Sequence, residues 1–197
     1  MKEQQDSSTM TRRGFCQRLA AFALAATSLP LLTQVSEAAP KWKDDFELAV
    51  NFEINKPGGT RYHRPYVAAW IEDSNGKAVR TLSLWYQQTG RGIRWLPDLK
   101  RWYRVEKKRK AEKGGDLAKV ISSATRKPGK YSLVWNGRDD DGKQLDQGTY
   151  FVCIEAAREN GTYQLIREDV TIGSRAFRKA FDGNIEIKEA SVEYRKK

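Results

Sequence analysis

The chain has 197 residues, of which 31% are charged and 39% hydrophobic, and its formal net charge is +11. That length suits a single domain, and two cysteines exclude a disulfide-stapled scaffold. So positive a balance points to nucleic acid, a membrane surface or an acidic partner.

In chain order, a polar segment leads to Thr11-Arg-Arg-Gly-Phe-Cys-Gln-Arg18 and then an apolar run over residues 19–32. A basic region, a short apolar stretch and the small residues Ser36 and Ala38 read as a signal peptide over residues 1–38, cleaved after Ala38. Arg12, Arg13 and Phe15 fit the twin-arginine export pattern, which makes the twin-arginine translocase a partner during export. Cys16 and Gln17 stand where that pattern favours leucine and lysine. The apolar run is interrupted by Thr27, Ser28 and Pro30 and is too short to span ~30 Å of hydrocarbon. Cys16 precedes that run, so it is not a lipid-attachment cysteine. The expected location is the periplasm, and that location argues against a nucleic-acid partner. Residues 1–38 carry four basic side chains (Lys2, Arg12, Arg13, Arg18) and three acidic ones (Glu3, Asp6, Glu37), so the mature net charge falls from +11 to +10. Only Cys153 then remains, and its neighbours Phe151, Val152 and Ile154 mark it as a core residue.

Residues 39–197 read as one domain. Phe46, Leu48, Val50, Phe52 and Ile54 alternate along a first strand, which Asn55-Lys-Pro-Gly-Gly59 ends. Residues 65–72 and 77–86 are expected strands joined by the turn Asp73-Ser-Asn-Gly76, since Asn-Gly is the strongest short hairpin signal. The period then changes. Trp95, Leu99, Trp102 and Val105 follow a helical stripe within an insertion over residues 93–125, with Arg94, Lys100, Arg101 and Arg104 around it. Such a helix could lie on a membrane or grip an acidic partner, which makes Trp95, Trp102, Arg101 and Arg104 candidate docking residues. The plainer expectation is that its tryptophans pack over one open end of the sandwich.

Residues 130–157 read as a β-hairpin with an elaborated connection. Tyr131, Leu133 and Trp135 share one strand face. The run from Thr149 to Ile154 suggests a strand buried on both faces. Asn136-Gly137, Asp141-Gly142 and Gly148 supply turn chemistry between them. Further strands are expected over residues 163–172 and 185–194. The fold class is mainly β, an antiparallel sandwich of about seven strands with one inserted amphipathic helix.

Two resemblances add to this. The segment Trp135-Asn-Gly-Arg-Asp-Asp-Asp-Gly142 followed by Gly148-Thr-Tyr150 resembles the terminal hairpin of the immunoglobulin-like module of flagellar hook-capping proteins. Residues 121–161, together with Arg64-Pro-Tyr-Val-Ala-Ala-Trp-Ile-Glu-Asp73, are similar to a family of predicted periplasmic proteins, the domain-of-unknown-function family numbered 2271. That likeness implies an immunoglobulin-like sandwich and a periplasmic location, and no established activity.

Of the residue types that carry chemistry, His63 is the only histidine, too few for a metal site with Cys153 alone. No G-x-S-x-G elbow exists. Asp139, Asp140, Asp141 and Asp146 offer hard oxygen ligands, but their spacing departs from a calcium loop and suits a turn. Lys119-Val-Ile-Ser-Ser-Ala-Thr125 is similar to the D-x-x-[ST]-G-A-[ST] signature at which a periplasmic transferase attaches FMN to the last hydroxyl. Ser122, Ala124 and Thr125 match, with Thr125 the acceptor; Lys119 and Ser123 depart from it. Arg126, Lys127 and Lys130 would suit a phosphate-linked group. Members of the resembled family are often encoded near membrane flavin reductases, which implies a periplasmic or membrane partner of that kind. The expectation is therefore a non-catalytic accessory or binding protein of flavin-linked electron transfer or iron reduction. The alternatives are an electron carrier with covalent FMN on Thr125 and a purely structural module.

Overall fold

The computed structural model describes residues 39–58, 62–159 and 161–197. The export-signal residues Arg12, Arg13 and Phe15 lie outside them. Among the described residues nine strands form two sheets: β1 (Phe46–Ile54), β2 (Tyr66–Asp73), β3 (Ala78–Trp85), β4 (Ser122–Ser123), β5 (Gly129–Trp135), β6 (Gly148–Ala157), β7 (Tyr163–Ile172), β8 (Phe177–Phe181) and β9 (Ile187–Lys196). The smaller sheet has the order β5-β1-β9-β8 and the larger β4-β3-β2-β6-β7. All pairings are antiparallel except the two-residue contact of β4 with β3. The protein is a β-sandwich. Two more strands appear than expected: β4, inside the helical insertion, and β8, in the segment holding Phe177 and Phe181.

The core between the sheets follows from strand alternation. Phe46, Leu48, Val50, Phe52 and Ile54 of β1 are buried against Val152, Ile154 and Ala156 of β6. Each such side chain contributes about 1.5–3 kcal/mol when fully removed from water. Asn75 and Gly76 turn β2 into β3 as expected, with Asp73 Oδ1 accepting the N–H groups of Asn75 and Lys77. In β9 a bulge lets both Ile187 and Ala190 face inward, because Ile54 pairs with Ile187 and Glu53 with Glu189. Ile185 therefore lies before the strand and is 51% exposed.

One expectation is corrected. Residues 130–157 do not form a hairpin: β5 pairs with β1, whereas β6 pairs with β2 and β7. The connection crosses from one sheet to the other. Trp135 and Tyr150 meet across the interior with ring centroids 5.1 Å apart. The turn residues are used within the crossing, where Asp139 Oδ1 accepts the N–H groups of Asp141 and Lys143. Gly137, at φ +75°, allows Trp42 to pack on its backbone; a Cβ there would meet the indole at 2.3 Å.

The insertion is also placed differently from expectation. Gly92–Asp98 is a 3-10 segment, followed by α1 (Lys100–Lys113) and the short α2 (Leu117–Ile121). They cover the outer face of the larger sheet rather than an end of the sandwich. Leu96, Leu99, Trp102 and Ala118 pack there with Ala68, Trp70, Leu84, Tyr86, Cys153 and Ala157. This makes β6 a strand buried on both faces, since Val152 and Ile154 point inward while Cys153 points under the helix. No helix among the described residues is long and apolar enough to cross a membrane.

Candidate functional site

Buried carboxylates position the insertion. Glu155, fully buried on β6, accepts the backbone N–H groups of Arg101 (2.8 Å) and Trp102 (2.7 Å), two of the donors a helix start leaves unpaired. Leu99, at the N-cap, cannot do this itself. Burial pushes the Glu155 carboxyl above its usual range, against those two hydrogen bonds. Glu72 on β2 is fully buried and accepts Arg101 Nε at 2.9 Å, Arg101 Nη2 at 2.7 Å, Arg167 Nε at 2.9 Å and Trp70 Nε1 at 3.0 Å. Burial raises its proton affinity, but the two guanidiniums and the indole outweigh that and hold the carboxyl low. Glu106 accepts Arg109 Nε at 2.6 Å and the N–H of Leu117 at 3.0 Å, which joins α1 to the start of α2.

The insertion so fixed walls a cleft of about 250 Å³ at the end of the larger sheet where β2 begins and β3 and β6 finish. Tyr62, Tyr66 and Trp95 are its aromatic walls, and His63, Arg64, Gln87, Asp98, Glu159 and Thr125 supply its polar atoms. Tyr66 donates its hydroxyl to the Gly92 carbonyl at 2.9 Å and ties the 3-10 segment to β2. Gly92 itself lies so close to Gln87 that a Cβ would sit 1.8 Å from the Gln87 carbonyl oxygen. His63 Nδ1 is 3.6 Å from Glu159 Oε2 across the rim. The Arg94 guanidinium lies 4.6 Å from the centre of the Trp95 ring and covers part of that indole.

Thr125 is half-buried in the segment that follows β4. The segment is held on both sides. Ser122 Oγ accepts Gln88 Nε2 at 3.0 Å, the Ser123 carbonyl accepts the N–H of Tyr86 at 3.1 Å, and the Lys127 carbonyl accepts the Tyr131 hydroxyl at 2.7 Å. Ala124 is exposed between them. Of the candidate docking residues, Trp95 stands at the cleft, 39% exposed, and Arg104 faces solvent. Trp102, 1% exposed, and Arg101, bound to Glu72, instead hold the helix on the sheet, so neither presents a docking surface. Each of the four aspartates has its own partner: Asp139 accepts the N–H groups of Asp141 and Lys143, Asp140 accepts the N–H of Thr81, Asp141 pairs with Lys113 and Asp146 with Lys41. Among the described residues no group of His, Cys, Asp or Glu could hold a metal ion.

Hollows also lie at the β7–β8 connection and on the outer face of the smaller sheet. In the latter, Lys130 pairs with Glu189 and Arg178 with Glu193, so its charges are already matched. The cleft at Thr125 is the one that gathers aromatic walls, an imidazole and a hydroxyl.

The family model described as predicted periplasmic protein (DUF2271) matches residues 47–189, which spans both sheets, the insertion and the whole cleft. The chain belongs to that family. Its members are predicted periplasmic proteins of unknown function. Searches of the curated proteins and of the solved structures found no match. In this DUF2271 protein the cleft residues Tyr62 and His63, Gln87, and Glu159 come from three separate stretches of chain, and no local pattern joins them.

Proposed function

We propose that this protein is a non-catalytic accessory and binding protein of a periplasmic flavin-linked electron-transfer or iron-reduction system. On this reading it is exported by the twin-arginine translocase, uses an immunoglobulin-like frame and works through the cleft at Thr125. The observation that carries the reading is that Thr125 lines the same cleft as Tyr62, Tyr66 and Trp95. Aromatic faces stack on planar conjugated ligands, and Arg64 at the rim offers a cation to an anionic group.

A second reading, favoured by the half-buried hydroxyl of Thr125 itself, is an electron carrier with FMN joined there. The residues fit such a group: the hydroxyl borders an aromatic-walled space, and Arg126 and Lys127 follow it in sequence. Bound FMN would supply one- and two-electron chemistry. Thr125 would hold it, and the aromatic walls would orient the ring system and exclude water. Intact mass after co-expression with a periplasmic flavin transferase decides between the two. One added FMN, abolished by Thr125→Val in a folded protein, supports the carrier. Unmodified protein beside a modified control leaves the binding-protein reading, which then predicts reversible flavin binding that Trp95→Ala weakens.

A further inference from the structure

The outward face of α1 carries cations that the helix's own packing leaves without acidic partners. The inner side of α1 is occupied: Trp102 and Glu106 are buried, Arg101 is paired with Glu72 and Arg109 with Glu106. Cations at the helix end are matched too, Lys110 by Asp116 and Lys113 by Asp141. Lys100, Arg104 and Lys107 are different. They recur at i, i+4 and i+7, so they form one stripe on the face opposite Trp102. All three are exposed, and among the described residues none of them forms an ion pair with a carboxylate; the Lys100 ammonium lies 4.7 Å from the centre of the Tyr163 ring, while Arg104 and Lys107 face solvent. Tyr103, 38% exposed, stands beside the stripe.

We propose that this stripe is a docking surface for an acidic protein partner. Three observations carry the assignment, and it is independent of what the cleft binds. The stripe holds cations without acids, so the complementary surface is anionic. The cations stand on a helix anchored by Glu155, Glu72 and Trp102, so the backbone that presents them is already ordered before binding. An exposed tyrosine next to arginine is the side-chain composition that protein interfaces favour. A lipid surface fits less well. An interfacial helix buries an apolar face in the headgroup region, and the apolar side of α1 is already spent on the larger sheet.

The test uses the mature protein and a fluorescein-labelled peptide of alternating glutamate and alanine as the acidic probe. Arg104→Glu with Lys107→Glu reverses the stripe at exposed positions that make no contact with the core. Arg175→Glu with Lys143→Glu makes the same change in net charge at exposed positions elsewhere. The expected result is binding that weakens as salt rises and falls about tenfold or more in the stripe variant, but less than about threefold in the control variant. Equal losses in both variants would mean that the peptide reads only net charge, and the assignment would be overturned. Binding to phosphatidylglycerol vesicles that depends on the stripe, with no stripe-dependent peptide binding, would overturn it in favour of a lipid surface.

Discussion

The carboxylate of Glu155, in the middle of the larger sheet, caps the helix that begins at Lys100 by accepting the N–H of Trp102 at 2.7 Å. One strand side chain thus fixes the start of α1, and Trp102 packs against the sheet beside it. Glu155→Ala leaves two buried N–H groups unpaired and opens a polar gap. The expected loss is about 1–3 kcal/mol, measured by urea unfolding, with Trp102 becoming accessible to solvent. Glu155→Gln should recover only part of it, since an amide offers one acceptor oxygen where two are used. An alanine variant as stable as the parent would show that α1 docks through its apolar side alone.

Glu72 makes stability depend on acid. Burial opposes ionisation of its carboxyl, but Arg101, Arg167 and Trp70 donate to the ionised form, outweigh that burial and hold the carboxyl below the usual glutamate range. A lowered folded value stabilises the protein above the unfolded value, and that contribution is lost as pH falls through the folded one. Glu72→Gln should therefore cost about 2–3 kcal/mol near neutrality, below the range for a fully buried pair because both guanidiniums are partly exposed. The difference from the parent should shrink as pH falls through the ordinary glutamate range and below it, where the unfolded chain's carboxyl takes up a proton before the folded one does. A gap that stays constant from neutrality to acid would assign the loss to packing instead of charge.

How much of this was legible in the sequence differs from element to element. β1 was legible because Phe46 to Ile54 alternates in one phase, and the β2–β3 hairpin because Asn75-Gly76 allows few other conformations. The pairing of residues 130–157 was not. Trp135 and Tyr150 face the interior from opposite sheets, and inward alternation with glycine-rich turns looks the same whether two strands pair or face each other. Helical spacing from Trp95 to Val105 ran through Pro97, where the chain changes from a 3-10 segment to α1, so Trp95 and Trp102 end in different environments. Thr125 could be singled out from its neighbours in sequence. Its companions in the cleft could not, because only the sheet topology brings residues near 62, 87, 95 and 159 together. Glu72 and Glu155 left a faint signal: each extends an apolar strand by one charged residue on the face that the basic helix covers.

Gly137 is the point where the crossing connection and Trp42 meet. At φ +75°, with the indole occupying the place of a side chain, Gly137→Ala combines backbone strain with a steric clash. The variant should lose about 2–4 kcal/mol in denaturant unfolding, comparable to an overpacked core site with added strain. Trp135→Ala tests the neighbouring position from the opposite direction, by emptying the seat that Trp42, Tyr150 and the inner face of β5 share. Its expected cost is about 3–5 kcal/mol. A loss below about 1 kcal/mol for either variant would mean that this aromatic cluster is not part of the cooperative core.

The tryptophans allow the cleft to be followed without a known ligand. Of the six, Trp42, Trp70, Trp85, Trp102 and Trp135 are at most 4% exposed, while Trp95 is 39% exposed. Emission from the free protein should therefore be blue-shifted, with a minor component accessible to quenchers. Iodide should reach that component readily, since the guanidinium of Arg94 beside the Trp95 ring attracts anions. Trp95→Phe should abolish the accessible component and cost less than about 1 kcal/mol in unfolding stability, as expected of an aromatic-for-aromatic change at a partly exposed cleft wall. A ligand that enters the cleft should protect Trp95 from iodide, and anionic vesicles should not, because the apolar side of α1 is engaged with the sheet. Quenching that survives Trp95→Phe would show that the insertion opens to expose Trp102, and that its fixed position on the larger sheet does not persist in solution.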